Sequence, residues 1–404
     1  MIDVTNSAVL PLYRPSKGGD CPELPRYIVM TKMNVAQLIA PGEPLKIGVI
    51  DKPVAGPTDV LVKVEACGIV PNAYNLVTGK SQHILPELPA VFGLDAAGTI
   101  EAVGEAVIGL EPGQRVYVDP YLTCETCQQC RRGRRDLCIA GTLRGYFSNT
   151  DAGRPLLNHY KTGGLSEYVL SPHRNIVRLP ESIDMLTAAR FGYLGTSFGA
   201  LRRGGFTSGK TLLINGVTGT LGVAAVAIAL GLGATKILGL GRNRQLLEQV
   251  QTLAPKRVVT CSTEDGGDIT SWVKEQSSGG VDVMIDCLGF GADSKSTSSL
   301  IAAIKPGGRA ILAAGGVDGQ ITQSYWEAYN DVSVGGSMWF SPEDIDRMVA
   351  MIDADVIDTS YLTHHSFALS EVNEALTFVG SRPGGFVNTV VIPNRTDSAD
   401  NWPR

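Results

Sequence analysis

The pattern of hydrophobic and polar positions divides the chain near Lys210. Over residues 27–118, short apolar runs alternate with polar residues and are separated by Pro and Gly, as in DVLVKVEACGI at 59–69 and AAGTIEAVG at 96–104. Alternating runs bounded by turn residues are typical of β-strands. The segment GGLSEYVL at 163–170 returns to this strand pattern. The first part of the chain therefore predicts a β-rich domain, and helical periodicity follows it.

From Lys210 onward, apolar strands alternate with helical segments. In order they are TLLING, a helix from Leu221, KILGLG, a helix through Gln245 to Leu253, RVVT, VDVMIDCLG and RAILAAGG. Such βαβ repetition predicts a parallel sheet with helices on both faces, ending near residue 336. Beyond it we expect two amphipathic helices with Ser341 and Ser370 as N-caps, and a closing strand FVNTVVIP.

Length and charge narrow the possible function. The 404 residues are 44% hydrophobic and 19% charged, with a net charge of −5, which favours a globular protein of two or three domains. The acidic balance argues against nucleic acid and anionic membranes as partners and favours a small-molecule substrate. The N-terminus lacks a secretory pattern, so a cytoplasmic protein is expected. Polar and Gly residues interrupt the uncharged stretch from Thr211 to Thr235, so we predict no membrane span there.

Four of the eight cysteines form a compact cluster. Cys124, Cys127, Cys130 and Cys138 follow the spacing C-x2-C-x2-C-x7-C. Four thiolates in a short segment suit a closed tetrahedral zinc site with no position left for substrate, so we predict one structural zinc per subunit. The arginine run at 131–135 raises the alternative of a nucleic-acid module, but a solvated lobe face fits the acidic total charge better.

A glycine turn between a strand and a helix predicts a dinucleotide site. The turn Gly216-Val217-Thr218-Gly219-Thr220-Leu221-Gly222 directly follows TLLIN and opens an apolar helix. Glycines let backbone N–H groups approach a diphosphate at a helix N-terminus, where the helix dipole favours an anion. The alternative is a glycine-rich connection that binds nothing. We take Gly216, Thr218, Gly219, Thr220, Leu221 and Gly222 as cofactor-binding residues.

The end of the second parallel strand bears on cofactor choice. An acidic residue often contacts the ribose 2′-hydroxyl of NAD there, whereas this chain has Gly241-Arg242-Asn243-Arg244. Two guanidinium groups and no carboxylate favour a 2′-phosphate, and hence NADPH. Both arginines could instead be solvated residues that start a surface helix. Ala314 and Gly315, after a later strand, complete the predicted cofactor site.

These motifs, in this order, resemble the medium-chain dehydrogenase/reductase superfamily, which includes zinc alcohol dehydrogenases and quinone reductases. The resemblance runs from about Tyr27 to Pro393 and rests on FGLDAAGTIEAVGEAV, PGQRVYV, the four-cysteine lobe, GGLSEYV, the glycine turn and IKPGGRAILAAGG. It implies an α/β protein in which a Rossmann domain is inserted in a GroES-like catalytic domain. It also implies an active site in the cleft between the domains, and a homodimer or homotetramer.

The domain boundaries implied by this resemblance cover the whole chain. We expect an N-terminal arm at 1–26, a catalytic domain at 27–195 and 337–393 with the zinc lobe at 119–140, a Rossmann domain at 196–336 and a C-terminal tail at 394–404.

This chain departs from the zinc alcohol dehydrogenases at the positions where those enzymes bind their catalytic metal. Where those enzymes carry a catalytic Cys and a Gly-His-Glu triplet, this chain has Val70 and Gly93-Leu94-Asp95, and the third ligand position is matched loosely by Tyr193. Because Val and Leu cannot bind a metal ion, we expect no catalytic zinc. The pattern Gly-x-Asp-x-Ala-Gly is similar to zinc-independent quinone and enone reductases.

Without a cleft metal, hydride addition to an activated C=C bond is the less demanding chemistry, because the charge of the resulting enolate is delocalised. We predict an NADPH-dependent reductase of such bonds. The alternatives are an NADP-dependent alcohol dehydrogenase or carbonyl reductase using a side-chain acid, and a nucleotide-binding protein without turnover. The candidate catalytic residues are Tyr74, the first choice as proton donor, then Tyr193, together with Asn72 and Asp95; His83 is a weaker candidate.

Overall fold

The computed structural model describes residues 31–81, 83–315 and 317–395. The predicted arm at 1–26 lies outside this part of the chain, as does the predicted tail from residue 396 onward. The two tail residues that are described remain attached to the body, because Asn394 Nδ2 donates a hydrogen bond of 2.7 Å to the Val64 carbonyl oxygen.

The first half of the chain is rich in short strands. Its strands are β1 (Lys32–Leu38), β2 (Lys46–Asp51), β3 (Asp59–Ile69), β4 (Ala90–Val91), β5 (Asp95–Val103), β6 (Arg115–Val118), β7 (Tyr121–Leu122), β8 (Thr142–Leu143), β9 (Phe147–Ser148), β10 (Tyr168–Pro172) and β11 (Ile176–Arg178). Its α-helices are α1 (Pro71–Val77), α2 (Gln128–Arg131), α3 (Arg154–His159), α4 (Met185–Ala188) and α5 (Phe191–Arg203).

The second half alternates strands with helices and then returns to the first sheet. Its strands are β12 (Thr211–Asn215), β13 (Lys236–Gly241), β14 (Val258–Ser262), β15 (Val281–Asp286), β16 (Ile304–Leu312), β17 (Ser333–Gly336), β18 (Thr363–Ala368) and β19 (Val387–Ile392). Its helices are α6 (Thr220–Gly231), α7 (Arg244–Thr252), α8 (Ile269–Gln276), α9 (Ser294–Ile301), α10 (Tyr325–Tyr329), α11 (Pro342–Asp353) and α12 (Val372–Gly380).

The β-rich part is organised around β3, the long strand that the alternating pattern predicts at 59–69. The seven-stranded sheet has the order β11-β6-β5-β3-β19-β18, with β10 also paired to β3. β3 runs antiparallel to β5, and Gly68 lies opposite Asp95 in their register. Since β18 and β19 come from the end of the chain, this sheet is built from both termini of the sequence.

The second sheet is parallel and has the order β14-β13-β12-β15-β16-β17. The chain moves outward from β12 in both directions, so a crevice opens at the carboxyl ends of β12 and β15, where an open α/β sheet binds its ligand. The uncharged stretch at 211–235 forms β12, the glycine turn and the buried helix α6. The predicted class, a parallel Rossmann sheet combined with a GroES-like domain, is confirmed.

Helix α5 connects the two sheets. It packs on α6 and on β15 and β16 of the parallel sheet, and α11 packs against it. Helix α11 follows the predicted domain boundary at residue 336. Ser341 caps α11 as expected, with a complete capping box.

The predicted N-cap Ser370 is wrong. Leu369–Glu371 form a 3-10 turn ahead of α12, and the Glu371 carboxylate accepts a hydrogen bond of 2.6 Å from the Ala368 N–H. The helix therefore begins at Val372, and Ser370 lies within the turn that precedes it. Across the described ranges, no helix is long and apolar enough to cross a membrane.

Candidate active site

The four clustered cysteines form a metal site in the lobe between β7 and β8. One sulfur from each of Cys124, Cys127, Cys130 and Cys138 lies within 4.8 Å of all the others. Backbone N–H groups also point at the sulfurs: Cys124 N–H donates to Cys138 Sγ at 3.3 Å and Cys127 N–H donates to Cys124 Sγ at 3.4 Å. This donor set fits a tetrahedral zinc ion.

Without a cation, the electrostatics of this site favour a thiolate at Cys127 but not at Cys130. The backbone N–H groups of Cys130 and Ile139 lower the pKa of the Cys127 thiol to about 6. Burial, followed by neighbouring thiols, raises the pKa of Cys130, because crowded sulfurs without a cation cannot all be charged. A divalent cation would remove this conflict, since it stabilises every thiolate at once.

Ion pairs attach the lobe to the domain junction. Asp136 pairs with Arg134 at 2.8 Å and with Arg203 of α5 at 3.2 Å. Asp119, just before β7, accepts a hydrogen bond of 3.0 Å from Trp339 Nε1. The lobe therefore supports the connection between the two sheets. Arg134 and Arg135 make ion pairs within the protein, to Asp136 and Glu125.

The glycine turn has the backbone that the sequence pattern predicts. Gly216 has a φ of +87°, and a Cβ on Gly222 would lie 2.4 Å from the Gly216 carbonyl oxygen, so both positions require glycine. At Gly219, the N-cap of α6, a Cβ would meet only the Gly216 oxygen at 3.4 Å. Since no side chain caps α6, its first N–H groups are available to an anion.

The residues after β13 have three different roles in the structure. Gly241 is buried at the strand end, and Asn243 caps α7 by accepting a hydrogen bond of 3.1 Å from the Leu246 N–H. Arg244 is ion-paired with Asp265. The exposed Arg242 side chain makes no ion pair or hydrogen bond within the described residues, so it is the guanidinium most available to a phosphate. Ala314 and Gly315 follow β16, and Gly315 faces open space.

Three separate segments meet around Asp95. A Cβ on Gly68 would fall 2.0 Å from the Ala189 carbonyl oxygen, and a Cβ on Gly192 would fall 2.3 Å from Asp95 Oδ1. Gly192, at the start of α5, thus faces Asp95, whereas the sequence placed Tyr193 at this position. The absence of a side chain at 192 leaves room for the Asp95 carboxyl group.

Asp95 is a fully buried acid, and one of its two carboxyl oxygens is hydrogen-bonded. Oδ1 accepts a hydrogen bond of 2.7 Å from the Tyr117 hydroxyl, while Oδ2 is enclosed and has no partner. Burial raises the pKa of Asp95 to about 7, against the smaller opposing effects of the Tyr117 hydrogen bond, the Arg190 charge and the Gly192 N–H. A carboxyl group of this kind exchanges its proton near neutral pH.

Two tyrosines surround this acid. Tyr146 is enclosed and stacks on Phe92 at 4.7 Å between ring centres, and its hydroxyl has no partner. Burial, and then the nearby Tyr193, Asp95 and Cys67, raise the pKa of Tyr146. Burial likewise raises the pKa of Tyr193, with Asp95 adding to the effect. Both phenols therefore remain protonated donors at neutral pH.

The structure separates the first-choice donor from this cluster. The Tyr74 ring packs on Gly380 at the end of α12, and the Lys80 ammonium lies 4.7 Å from its centre. Asn72 is half-buried in the first turn of α1. His83 stacks on Phe147 at 3.9 Å, and burial lowers its pKa. Of the predicted catalytic residues, Asp95 and Tyr193 are brought together.

Sequence reasoning missed Tyr117, Tyr146 and Arg190. Tyr117 lies in the motif PGQRVYV and Tyr146 lies in no motif, and neither position indicates a partner, because both residues reach Asp95 only through sheet pairing and the fold of the lobe. Arg190 did leave a signal: it is the sole charged residue of the segment 185–201, MLTAARFGYLGTSFGAL. An isolated charge among apolar and small residues indicates a buried ionic group with a specific partner.

The donors around Asp95 do not fit a catalytic zinc ion. Val70 and Leu94 are buried and apolar, and Gly192 has no side chain. A catalytic zinc takes three protein ligands, whereas the four cysteines are the one group of three or more potential ligands close enough for a metal within the described chain.

Comparisons with known proteins match both parts of the chain to dehydrogenase families. Residues 56–181 match the family model described as alcohol dehydrogenase GroES-like domain, and residues 220–354 match the one described as zinc-binding dehydrogenase. The L-idonate 5-dehydrogenase of Vitis vinifera is 26% identical over 355 residues, which cover 87% of this chain and 92% of that protein.

One further relative and one solved structure are similar to this chain over much of its length. The NAD-dependent alcohol dehydrogenase of Sulfurisphaera tokodaii is 29% identical over 262 residues, covering 63% of this chain and 71% of that protein. A solved structure from Sinorhizobium meliloti, described as a zinc-binding dehydrogenase bound to NADP, superposes with a TM-score of 0.75 at 24% identity, covering 90% of this chain and all of that one.

Proposed function

The chain belongs to the medium-chain dehydrogenase/reductase superfamily, and on that premise we propose that it is an NADPH-dependent reductase of an activated C=C bond in a small organic molecule, working without a metal ion in the cleft. The observation that carries this proposal is the set of residues around Asp95. Where zinc enzymes of the family hold a metal, this protein has Val70, Leu94, Gly192 and a proton-bearing carboxyl group.

The bound cofactor supplies the hydride, and the protein's task is to stabilise the charge that appears on the substrate oxygen. The Tyr193 hydroxyl has no hydrogen-bond partner within the described residues and, unlike that of Tyr146, is not sealed from solvent. This hydroxyl can therefore donate a hydrogen bond to an enolate oxygen.

The Asp95 carboxyl group supplies the proton. Because its pKa is about 7, a large share of the enzyme carries this proton at neutral pH. Tyr117 holds Oδ1, which leaves Oδ2 as the atom that can give up or regain a proton. The Tyr146 phenol lies near both Asp95 and Tyr193 and stays protonated beside them.

The preference for NADPH rests on Arg242. Its exposed guanidinium follows the last residue of β13, at the edge where the ribose 2′-substituent of a bound dinucleotide lies. Arg244 contributes less while it is paired with Asp265. Because some relatives are named as NAD-dependent, the affinities of this protein for NADPH and for NADH both have to be measured.

Oxidation of an alcohol, or reduction of a carbonyl, is the second candidate function. It is favoured by relatives named for polyol and alcohol substrates, such as the L-idonate 5-dehydrogenase. The same Asp95 and Tyr193 groups would then have to protonate a localised alkoxide, which is more basic than an enolate.

Isotope transfer separates the two functions. The protein is incubated with NADPH carrying deuterium at the nicotinamide C4 and with a panel of enones, quinones, aldehydes and ketones. Deuterium at the β-carbon of a reduced enone supports the proposal, and deuterium on a carbinol carbon supports the second candidate. Absence of turnover over the panel, with NADPH bound, would favour the non-catalytic alternative.

A further inference from the structure

Arg190 is a buried cation that forms no ion pair with any described residue. Its side chain is at the domain junction, directly before α5, and the residue is only 3% exposed. Its one hydrogen bond runs from Nη2 to the Gly385 carbonyl oxygen at 3.3 Å, and no carboxylate lies within 4.0 Å of it in the described parts of the chain. A buried guanidinium normally has a partner, because transferring an unpaired charge out of water is costly.

The groups that face Arg190 are aromatic or weakly acidic. The guanidinium carbon lies 5.7 Å from the centre of the Tyr193 ring, and its other titratable neighbours include Tyr361, Asp95 and His364. The Arg190 nitrogens that make no hydrogen bond are not fully enclosed by protein atoms. These nitrogens, Nε and Nη1, can therefore bind a further group that reaches the domain junction.

The hydrogen-bond partner of Arg190 connects it to the glycine turn. The Gly385 N–H donates to the Thr218 carbonyl oxygen at 2.9 Å, and a Cβ on Gly385 would lie 2.4 Å from the Gly219 carbonyl oxygen. Ser197, two turns further along α5, donates to the Leu221 carbonyl oxygen at 2.9 Å. The start of α5 thus contacts the glycine turn through Arg190 and Gly385, and the first turn of α6 through Ser197.

The start of α6 presents N–H dipoles but no full positive charge. Its first turn contains Thr220, Leu221 and Gly222, and no side chain caps it. A dinucleotide places two phosphate charges there, so a cation from the facing helix would complement the partial charges of the N–H groups.

We propose that Arg190 binds the diphosphate of the nicotinamide cofactor, and so supplies from the α5 side the charge that the glycine turn lacks. Arg242 then reads the 2′-phosphate at one end of the cofactor while Arg190 neutralises its centre. This inference rests on the dinucleotide binding of the proposed function but not on the reaction catalysed.

Equilibrium binding tests this assignment without turnover. Calorimetry would measure NADPH, NADH, ADP-ribose and adenosine 2′,5′-bisphosphate on the wild type, R190Q and R190K; the last ligand lacks the diphosphate bridge. We expect R190Q to weaken NADPH, NADH and ADP-ribose alike, by about tenfold to a hundredfold, and to leave adenosine 2′,5′-bisphosphate within about twofold. R190K should retain part of the affinity, because it keeps the charge but not the planar fork.

The control variant is R202Q, in the same helix, whose arginine pairs with Asp344 at 3.0 Å. It should leave all four affinities unchanged. Cofactor affinities within threefold of wild type in folded R190Q would overturn the proposal, as would an equal loss of the bisphosphate. If R190Q does not fold, the test rests on R190K. An ADP-ribose affinity of R190K equal to that of the wild type would then contradict a contact that uses the planar fork of the guanidinium. A raised KM for an anionic substrate, with cofactor binding intact, would assign Arg190 to the substrate instead.

Discussion

The hydroxyl of Tyr117 donates a 2.7 Å hydrogen bond to Asp95 inside the antiparallel sheet, and this bond acts on the buried acid that lies where β3, β5 and α5 meet. Because the bond favours the carboxylate, it opposes the rise in pKa that burial causes. A change at Tyr117 should therefore shift the pKa of Asp95, and this shift can be measured.

The first prediction concerns activity against pH. If Asp95 donates the proton, kcat/KM for reduction should fall as pH rises through about 7, where the carboxyl group loses its proton. Replacing Tyr117 by Phe removes the bond that favours the carboxylate, so the falling limb should move to higher pH. D95N should lose most of the activity, and its remaining kcat/KM should not fall as pH rises through about 7. An unchanged limb in D95N would assign the titration to another group.

The second prediction concerns stability against pH. The pKa of Asp95 is about 7 in the folded protein, whereas an aspartate in an unfolded chain has its ordinary pKa of 3.8, so folding takes up a proton between these limits. Its contribution is fully present below about pH 4 and is lost as pH rises to about 7. Relative to D95N, the wild type should therefore become less stable over this range, by roughly 1.4 kcal/mol per pH unit at most. Urea unfolding at pH 5 and pH 8 measures the difference.

The third prediction concerns metal content. Elemental analysis should find about one zinc per chain. C130S should lose the zinc and unfold at lower temperature, because the lobe is linked to α5 through Asp136 and Arg203. C261S, at a cysteine outside the cluster, serves as the control and should keep the metal. Two tightly held zinc ions per chain, with activity dependent on the second, would contradict the metal-free cleft.

The fourth prediction concerns cofactor preference. R242A should weaken NADPH by about tenfold to a hundredfold and change NADH little, since only NADPH carries the 2′-phosphate. R244A should have a smaller effect because of its ion pair with Asp265. D265A, which releases Arg244, should tighten NADPH. Equal losses of NADPH and NADH in R242A would refute its role.

The fifth prediction compares three tyrosines at constant cofactor binding. Y193F should lower kcat by roughly 10²–10⁴ if its hydroxyl supports the oxyanion. Y146F should reduce kcat less, since that hydroxyl is enclosed. Y74F is the matched control, because the Tyr74 ring packs on Gly380, away from Asp95, and a loss below about tenfold is expected. A larger loss in Y74F than in Y193F would restore Tyr74 as the donor.

Several features of this protein are determined by the sequence itself. The strand β3, the glycine turn before α6 and the four-cysteine lobe were all predictable, because each depends on residues close together in the chain. Alternation defines a strand, glycine permits a φ that other residues avoid, and the spacing C-x2-C-x2-C brings sulfurs together within one short loop. The family resemblance is carried by the same local motifs.

The tertiary structure alone decided which side chains form the site. The site combines four separate segments: Asp95 of β5, Tyr117 of β6, Tyr146 between β8 and β9, and Arg190 with Tyr193 at the start of α5. Only the pairing of β3, β5 and β6 and the position of α5 bring them together. Local patterns say which face of an element is apolar, but not which neighbour covers it. For this reason Tyr74 packs against α12, Gly192 rather than Tyr193 faces the buried acid, and Arg190 lies beside the glycine turn.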